Sequence, residues 1–359
     1  MISVRDRARG CLLGLAAGDA LGAPAENLAP EEIAARWGVL TEIERGGTDD
    51  TEYTIFAATV LLRHGHALTS EDVARAWREE IVARLDGPMR GAGFSELGTV
   101  EALRRGLEPP LTGRWHAHGW SDGLAMRAAP YGIFAAGDPD EAARLVEADG
   151  RVSHTGEGIL GGRAVAAAVA VAMTGAPPGE VAGAALRAVP EDSWTARNLR
   201  AALDVVARTS RPLRGRALPD SSGRGLHDSL GRALHGSGCG LHDSFGRALH
   251  DSFGRALHDT VVVRHYPWTD LAPEAVALAF AAYTAGDGEV EASVVIAANL
   301  GRDADTTAAV AGALAGAGRG EAAVPARWAE RIGPVAGRCL PVVAGRDVRD
   351  VADEIVKGL

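Results

Sequence analysis

Glycine recurs every fourth residue near the start of this chain, at Gly10, Gly14, Gly18 and Gly22. The surrounding residues, about 4–18, carry apolar side chains at helical spacing. On a helix the first three glycines share one face and leave a groove that another backbone can enter. Glycine within a helix costs about 1 kcal/mol against alanine, so the close approach has to offset that loss. Packing against a second helix would do so, and so would close approach of a ligand at the Gly18–Gly22 end. The two are compatible.

The abundance of alanine and the scarcity of aromatics favour close-packed helices over a sandwich or barrel. Further helical patterns lie at 52–63, 70–85, 140–149, 157–173, 178–187, 192–208, 273–285, 288–298 and 305–317. Ser70 is a good cap for the second of these. No convincing run of alternating strands occurs. The chain has 359 residues, long for one domain, but nearly half are apolar and a sizeable core is available. The expectation is an all-α fold, one compact multi-helix domain over residues 1–359.

One region breaks the pattern. In residues 225–258, Leu226, Leu234, Leu241, Leu249 and Leu257 recur at spacings of 8, 7, 8 and 8, each followed by histidine. A metal-binding histidine tract is one reading. An expanded repeat in a surface loop is the other, and a period near eight fits neither helix nor strand. The reading adopted is a mobile insertion at about 212–260 that supplies no chemistry.

A formal charge of −10 argues against a nucleic-acid partner, whose phosphates need a basic face. The three cysteines form no CxxC pair and make a poor disulfide framework, which fits a reducing cytoplasm. Arg5 to Arg9 precede a short apolar run, as in a signal peptide, but Asp19 interrupts it and a first helical turn fits equally well. No run approaches the roughly 20 apolar residues of a membrane span.

Acids and hydroxyls cluster at two distant places: Thr48, Asp49, Asp50 and Thr51, then Asp303, Asp305 and Thr306. Each cluster precedes a helical pattern, and helix capping is the simple account. One cap needs one such residue, however. Four carboxylates brought together repel unless a cation lies among them, and oxygen-only ligands select Mg²⁺ or Mn²⁺ over zinc. A two-metal site is the sharper account. Three weaker pieces accompany it: Asp19 and Glu26 in "GDALGAPAE", Ser121 and Gly123 in "WSDGLAMRAAP", and His154 in "RVSHTGEG". A lone histidine of this kind is more often structural than catalytic.

Taken together and in order, "GCLLGLAAGDALGAPAE", "GTDDT", "GLAMRAAP", "VSHTGEG" and "GRDADTTAAVAGALAGA" resemble the ADP-ribosylglycohydrolases over about residues 5–320, the repeat excepted. The resemblance implies an all-α fold with a cleft holding two Mg²⁺ or Mn²⁺ ions. The implied reaction is hydrolysis at C1 of the distal ribose of an ADP-ribosyl group, an N- or O-glycosidic bond. By motif, Thr48, Asp49 and Asp50 would bind metal from one side and Asp303, Asp305 and Thr306 from the other. Glu26 or Asp303 would take the proton of the attacking water. Asp19, Ser121, Gly123 and His154 would line the substrate groove, and Trp120 would stack on adenine.

The chain departs from the family pattern at three places. Arg302 stands where glycine is common, and is expected to face the substrate cleft. Asp122 replaces an asparagine and puts negative charge near a diphosphate. The third is the stretch "EYT" at 52–54, in place of an apolar continuation. The leading substrate is an ADP-ribosylated protein, with arginine as acceptor. A small ADP-ribosyl or nucleotide metabolite is the second reading, and a non-catalytic crystallin-like protein the third. Retention of all the acidic positions opposes the third.

Overall fold

The computed structural model describes residues 2–85, 87, 89, 91–209 and 248–358. Helices make up its regular structure, and among the described residues extended pairing is confined to an isolated antiparallel bridge between Ser121 and Leu271. The all-α class is the one the chain adopts. No described helix is long and apolar enough to cross a membrane.

The glycine periodicity resolves as helix packing. The Val4–Gly22 helix lies antiparallel against the Ala304–Arg319 helix. Gly10 meets Gly316, Gly14 meets Gly312, Gly18 meets Ala308 and Gly22 meets Ala304. A methyl group on any of these four glycines would overlap the partner backbone. Every residue from Gly10 to Gly22 and from Ala304 to Ala317 is buried, as befits helices that are apolar all round. One helix ends where the other begins, so their contact brings residues 19–26 and 303–306 together.

The expected helices are present, with differences. The segment begun at Ser70 is α-helical only to Ala76, then continues as a wider turn from Trp77 to Ile81 and a tighter one from Val82 to Arg84. Its cap is Thr69, whose hydroxyl accepts from the Asp72 amide while Asp72 accepts from the Thr69 amide. Helices at Pro30–Trp37, Phe94–Arg104 and Val348–Lys357 had no expectation.

The repeat needs a correction. Its last copies, from Ala248 to Val261, are helical and packed. Leu249, Phe253 and Leu257 are buried in the core, and His258 Nε2 lies 2.7 Å from the Leu300 carbonyl. The apolar positions here recur every four residues, not only every eight, and a spacing of four keeps them on one helical face. The expected insertion from 212 to 247 lies outside the described residues.

Candidate active site

A cavity of about 430 Å³ opens at the start of the Ala304–Arg319 helix. Glu26, Thr48, Asp49, Asp50, Asp303, Asp305 and Thr306 all line it, with Ser121 and Gly123 on another wall. Thr48 and Asp303 are the caps of the two helices that bring the acids in. The loops behind them are tied together: Asn27 N–H donates to the Arg302 carbonyl at 2.8 Å, and Arg302 N–H to the Leu28 carbonyl at 3.0 Å. Glu52 secures the Asp49–His64 helix. Its carboxylate accepts the successive amides of Arg338, Cys339 and Leu340 at 2.8, 2.8 and 2.7 Å. That accounts for an acid where the family pattern has an apolar residue.

The electrostatics of the pooled acids are severe. Asp50, Asp303 and Asp305 are 2%, 9% and 5% exposed. Burial pushes their carboxyls well above the usual range, and neighbouring acids push further: Asp305 on Asp50, Asp122 on Asp303, and Asp303 on Asp305. Asp49 is raised in the same way, by burial and then Asp305. Thr306 Oγ1 lies 3.3 Å from Asp50 Oδ1, whereas the buried Asp50 Oδ2 has no hydrogen-bond partner among the described residues. An orphaned buried carboxylate oxygen among like charges suits a hard cation. Among the described residues no three His, Cys, Asp or Glu side chains form a ready-made cage.

Four expected groove residues lie elsewhere. Asp19 does not line the cavity. Its oxygens accept from the Thr48 amide at 2.8 Å, the Thr48 hydroxyl at 2.8 Å, the Thr51 amide at 3.1 Å and the Thr51 hydroxyl. It therefore binds the positive end of the Asp49–His64 helix. Arg302 does not line the cavity either. Its guanidinium pairs with the fully buried Glu274 and donates to the Trp268 carbonyl at 3.2 Å, and its backbone has φ +62°. That left-handed backbone explains why glycine suits this position. Trp120 is 46% exposed and packs edge-on to Trp194, with ring centroids 6.3 Å apart. The cavity's aromatics are Phe94 and Trp268.

His154, the fourth, is buried behind the wall in a closed hydrogen-bond ring. Arg127 Nη2 donates to Ser153 Oγ at 2.6 Å, and Ser153 Oγ lies 2.7 Å from His154 Nδ1. His154 Nε2 lies 3.0 Å from Ser121 Oγ, which donates to Ser95 Oγ at 2.9 Å. Ser95 donates to Glu96 Oε2 at 2.6 Å, and Arg127 Nη1 to Glu96 Oε1 at 3.1 Å. Arginine can only donate, so the Ser153 proton goes to Nδ1 and the imidazole carries its own proton on Nε2. Burial, then the Arg127 charge, hold the imidazole pKa well below its usual value. His154 thus positions Ser121 as a neutral ring.

Sequence reading missed Glu96, Asp270, Phe94 and Trp268, all in the lining. No motif marks them. One available signal was Gly123, where a Cβ would lie 2.6 Å from Glu96 Oε1. The other was Arg127 in "AMRAAP", a buried cation that requires acids: Glu96 at 3.1 Å and Asp149 at 2.9 Å.

Comparison with known proteins shows the family and the fold. The ADP-ribosylglycohydrolase family pattern matches residues 1–358. A protein of Archaeoglobus fulgidus, named only as uncharacterized, is 28% identical over 344 residues, covering 91% of this chain and 92% of that one. The ADP-ribosyl-[dinitrogen reductase] glycohydrolase of Rhodospirillum rubrum is 32% identical over 162 residues, 42% of this chain and 52% of that enzyme. A solved structure titled as an ADP-ribosylglycohydrolase-related protein complex shares the fold, with a TM-score of 0.58 over 99% of both chains at 24% identity. The chain belongs to the ADP-ribosylglycohydrolase family.

Proposed function

We propose that this protein hydrolyses the glycosidic bond at C1 of the distal ribose of an ADP-ribosyl group, releasing ADP-ribose from a modified protein side chain, arginine foremost. The observation that carries the reading is the meeting of Asp49, Asp50, Asp303 and Asp305 in one cavity, with a buried Asp50 oxygen left unpartnered among the described residues. Thr48, Asp49, Asp50, Asp303, Asp305 and Thr306 would hold two Mg²⁺ or Mn²⁺ ions. Such ions supply neutralising charge, Lewis acidity toward ribose hydroxyls and a more acidic water.

The chain's own residues do the rest. Glu26 lines the cavity, and burial raises its carboxyl. Glu26 or Asp303 accepts a proton from the water whose oxygen bonds to C1, the C1–N or C1–O bond breaks, and that proton passes to the leaving nitrogen or oxygen. Developing positive charge on the ribose ring is stabilised by the acids around it. Phe94 and Trp268 replace Trp120 as the base-stacking candidates. A second cavity of about 400 Å³ shares Glu26, Thr48 and Asp49 with the first. It offers the acceptor a separate approach of mixed charge, lined by Glu26, Glu44, Glu52, Arg45 and Arg338.

The test is release of ADP-ribose from ADP-ribosylated protein and from free ADP-ribosyl-arginine, with Mg²⁺ or Mn²⁺ and with chelator. Metal-dependent release by wild type but not by Asp305→Asn is expected. No release from either substrate would overturn the reading.

A further inference from the structure

The cavity holds more acid than two divalent ions neutralise. Among the described residues eight carboxylates line it, and no lysine, arginine or histidine does. A diphosphate would add negative charge to that excess. Like charges in a desolvated cleft repel strongly unless protons or cations intervene.

Two of these acids, Asp122 and Asp270, stand together beside Asp303, on which Asp122 is the strongest neighbouring charge. Asp122 N–H donates to the Asp270 carbonyl at 2.9 Å, and Ala272 N–H to the Trp120 carbonyl at 3.0 Å, so the two loops are fixed side by side. Asp122 is 3% exposed and lines the cavity, and among the described residues its Oδ2 has no hydrogen-bond partner. Burial raises its carboxyl first, then the charge of Asp270, then that of Asp305. Asp270 is two residues beyond Trp268, which also lines the cavity. Asp122 therefore adjoins the Asp303–Asp305 end of the cavity, and Asp270 follows Trp268 on the aromatic side. With the distal ribose at one end and the base at the other, the diphosphate falls beside Asp122 and Asp270.

We propose that Asp122 and Asp270 hold a further hard divalent cation, which enters with the substrate and bridges these carboxylates to its diphosphate oxygens. This rests on reading the cavity as an ADP-ribosyl site. Mg²⁺ and Mn²⁺ suit it, since such ions are commonly held by one or two carboxylates with substrate phosphates completing the shell. Two carboxylates alone make a weak site, so ion and nucleotide bind cooperatively. The negative charge of Asp122, unwelcome beside a bare diphosphate, becomes a ligand.

The experiment counts Mn²⁺ bound to the full chain, by calorimetry and by the electron spin resonance of free Mn²⁺, with and without saturating ADP-ribose. Wild type is expected to bind one more ion per chain with ADP-ribose than without it. Its affinity for ADP-ribose should rise about tenfold or more as that ion loads. Asp122→Asn keeps the side chain's size and is expected to lose the additional ion. Asp270→Asn, on a less buried residue, should do the same. Equal counts with and without ADP-ribose, or an additional ion that survives both substitutions, would overturn the proposal while leaving the ADP-ribosyl reading intact. Failure of wild type to bind ADP-ribose at any Mn²⁺ concentration would overturn both.

Discussion

Both carboxylate oxygens of Asp19 lie 2.8 Å from the amide nitrogen of Thr48. The last turns of the first helix thereby hold the start of the Asp49–His64 helix, and with it Asp49 and Asp50. Asp19→Ala removes the acceptor for two amides and two hydroxyls that stay in the interior. A stability loss of about 3 kcal/mol is expected in urea denaturation. Under saturating metal, substrate KM should change by less than the roughly tenfold that loss of one good substrate contact brings. A tenfold KM change with unaltered stability would return Asp19 to the groove.

Asp305→Asn tests charge and not packing. A helix cap tolerates asparagine almost as well as aspartate. A metal ligand does not. Divalent-ion affinity should fall in calorimetry, and activity should drop by orders of magnitude. Equal Mg²⁺ or Mn²⁺ binding in both proteins would remove Asp305 from the ligand set.

Arg302→Gly exchanges one strain for another. Glycine relieves the left-handed backbone, a gain of about 1 kcal/mol. It also leaves Glu274, which is fully buried, without its cation. Breaking such a pair costs about 3 kcal/mol, giving a net loss near ~2 kcal/mol. Arg302→Gly with Glu274→Gln should recover most of that loss. A variant that folds as wild type but shows altered substrate preference would place the guanidinium in the cleft after all.

His154 makes folding sensitive to mild acid. Its folded pKa lies well below the unfolded value, so below about pH 6.5 the unfolded chain takes up a proton that the folded chain refuses. Stability contributed by the neutral ring is complete above that pH and is lost as pH falls toward the folded pKa. The slope it adds approaches about 1.4 kcal/mol per pH unit. Denaturation midpoints between pH 7 and 5, at saturating Mg²⁺, should fall less steeply in His154→Gln than in wild type. Parallel curves would mean that His154 is charged in the folded protein.

Gly18→Ala should be among the most damaging small substitutions in the chain. The added methyl would overlap the Ala308 backbone, and neither helix can yield without moving the acids at its end. A loss of about 3 kcal/mol or more is expected. Gly179→Ala, on an open surface of the Pro178–Arg187 helix, should be neutral or stabilising by up to about 1 kcal/mol. Similar unfolding curves for the two variants would contradict the packing described.

Sequence by itself determined the helical class, because periodicity and small residues act locally. It also marked the two acid clusters, since two carboxylates and two hydroxyls exceed what one cap requires. Tertiary structure decided which polar groups reach the cavity. Asp19 and Glu26 sit a few residues apart, yet one binds a helix end and the other lines the cavity, because the chain turns between them. His154 and Ser121 fall in separate motifs but share a hydrogen bond at 3.0 Å, with only Ser121 on the wall. Glu96 and Asp270 carry no local signal. Their place follows from a buried arginine and from two loops joined by backbone hydrogen bonds, contacts between residues far apart in the chain. The helical face of Leu249, Phe253 and Leu257 was hidden for the opposite reason: a conspicuous eight-residue repeat masked the four-residue spacing that packing uses.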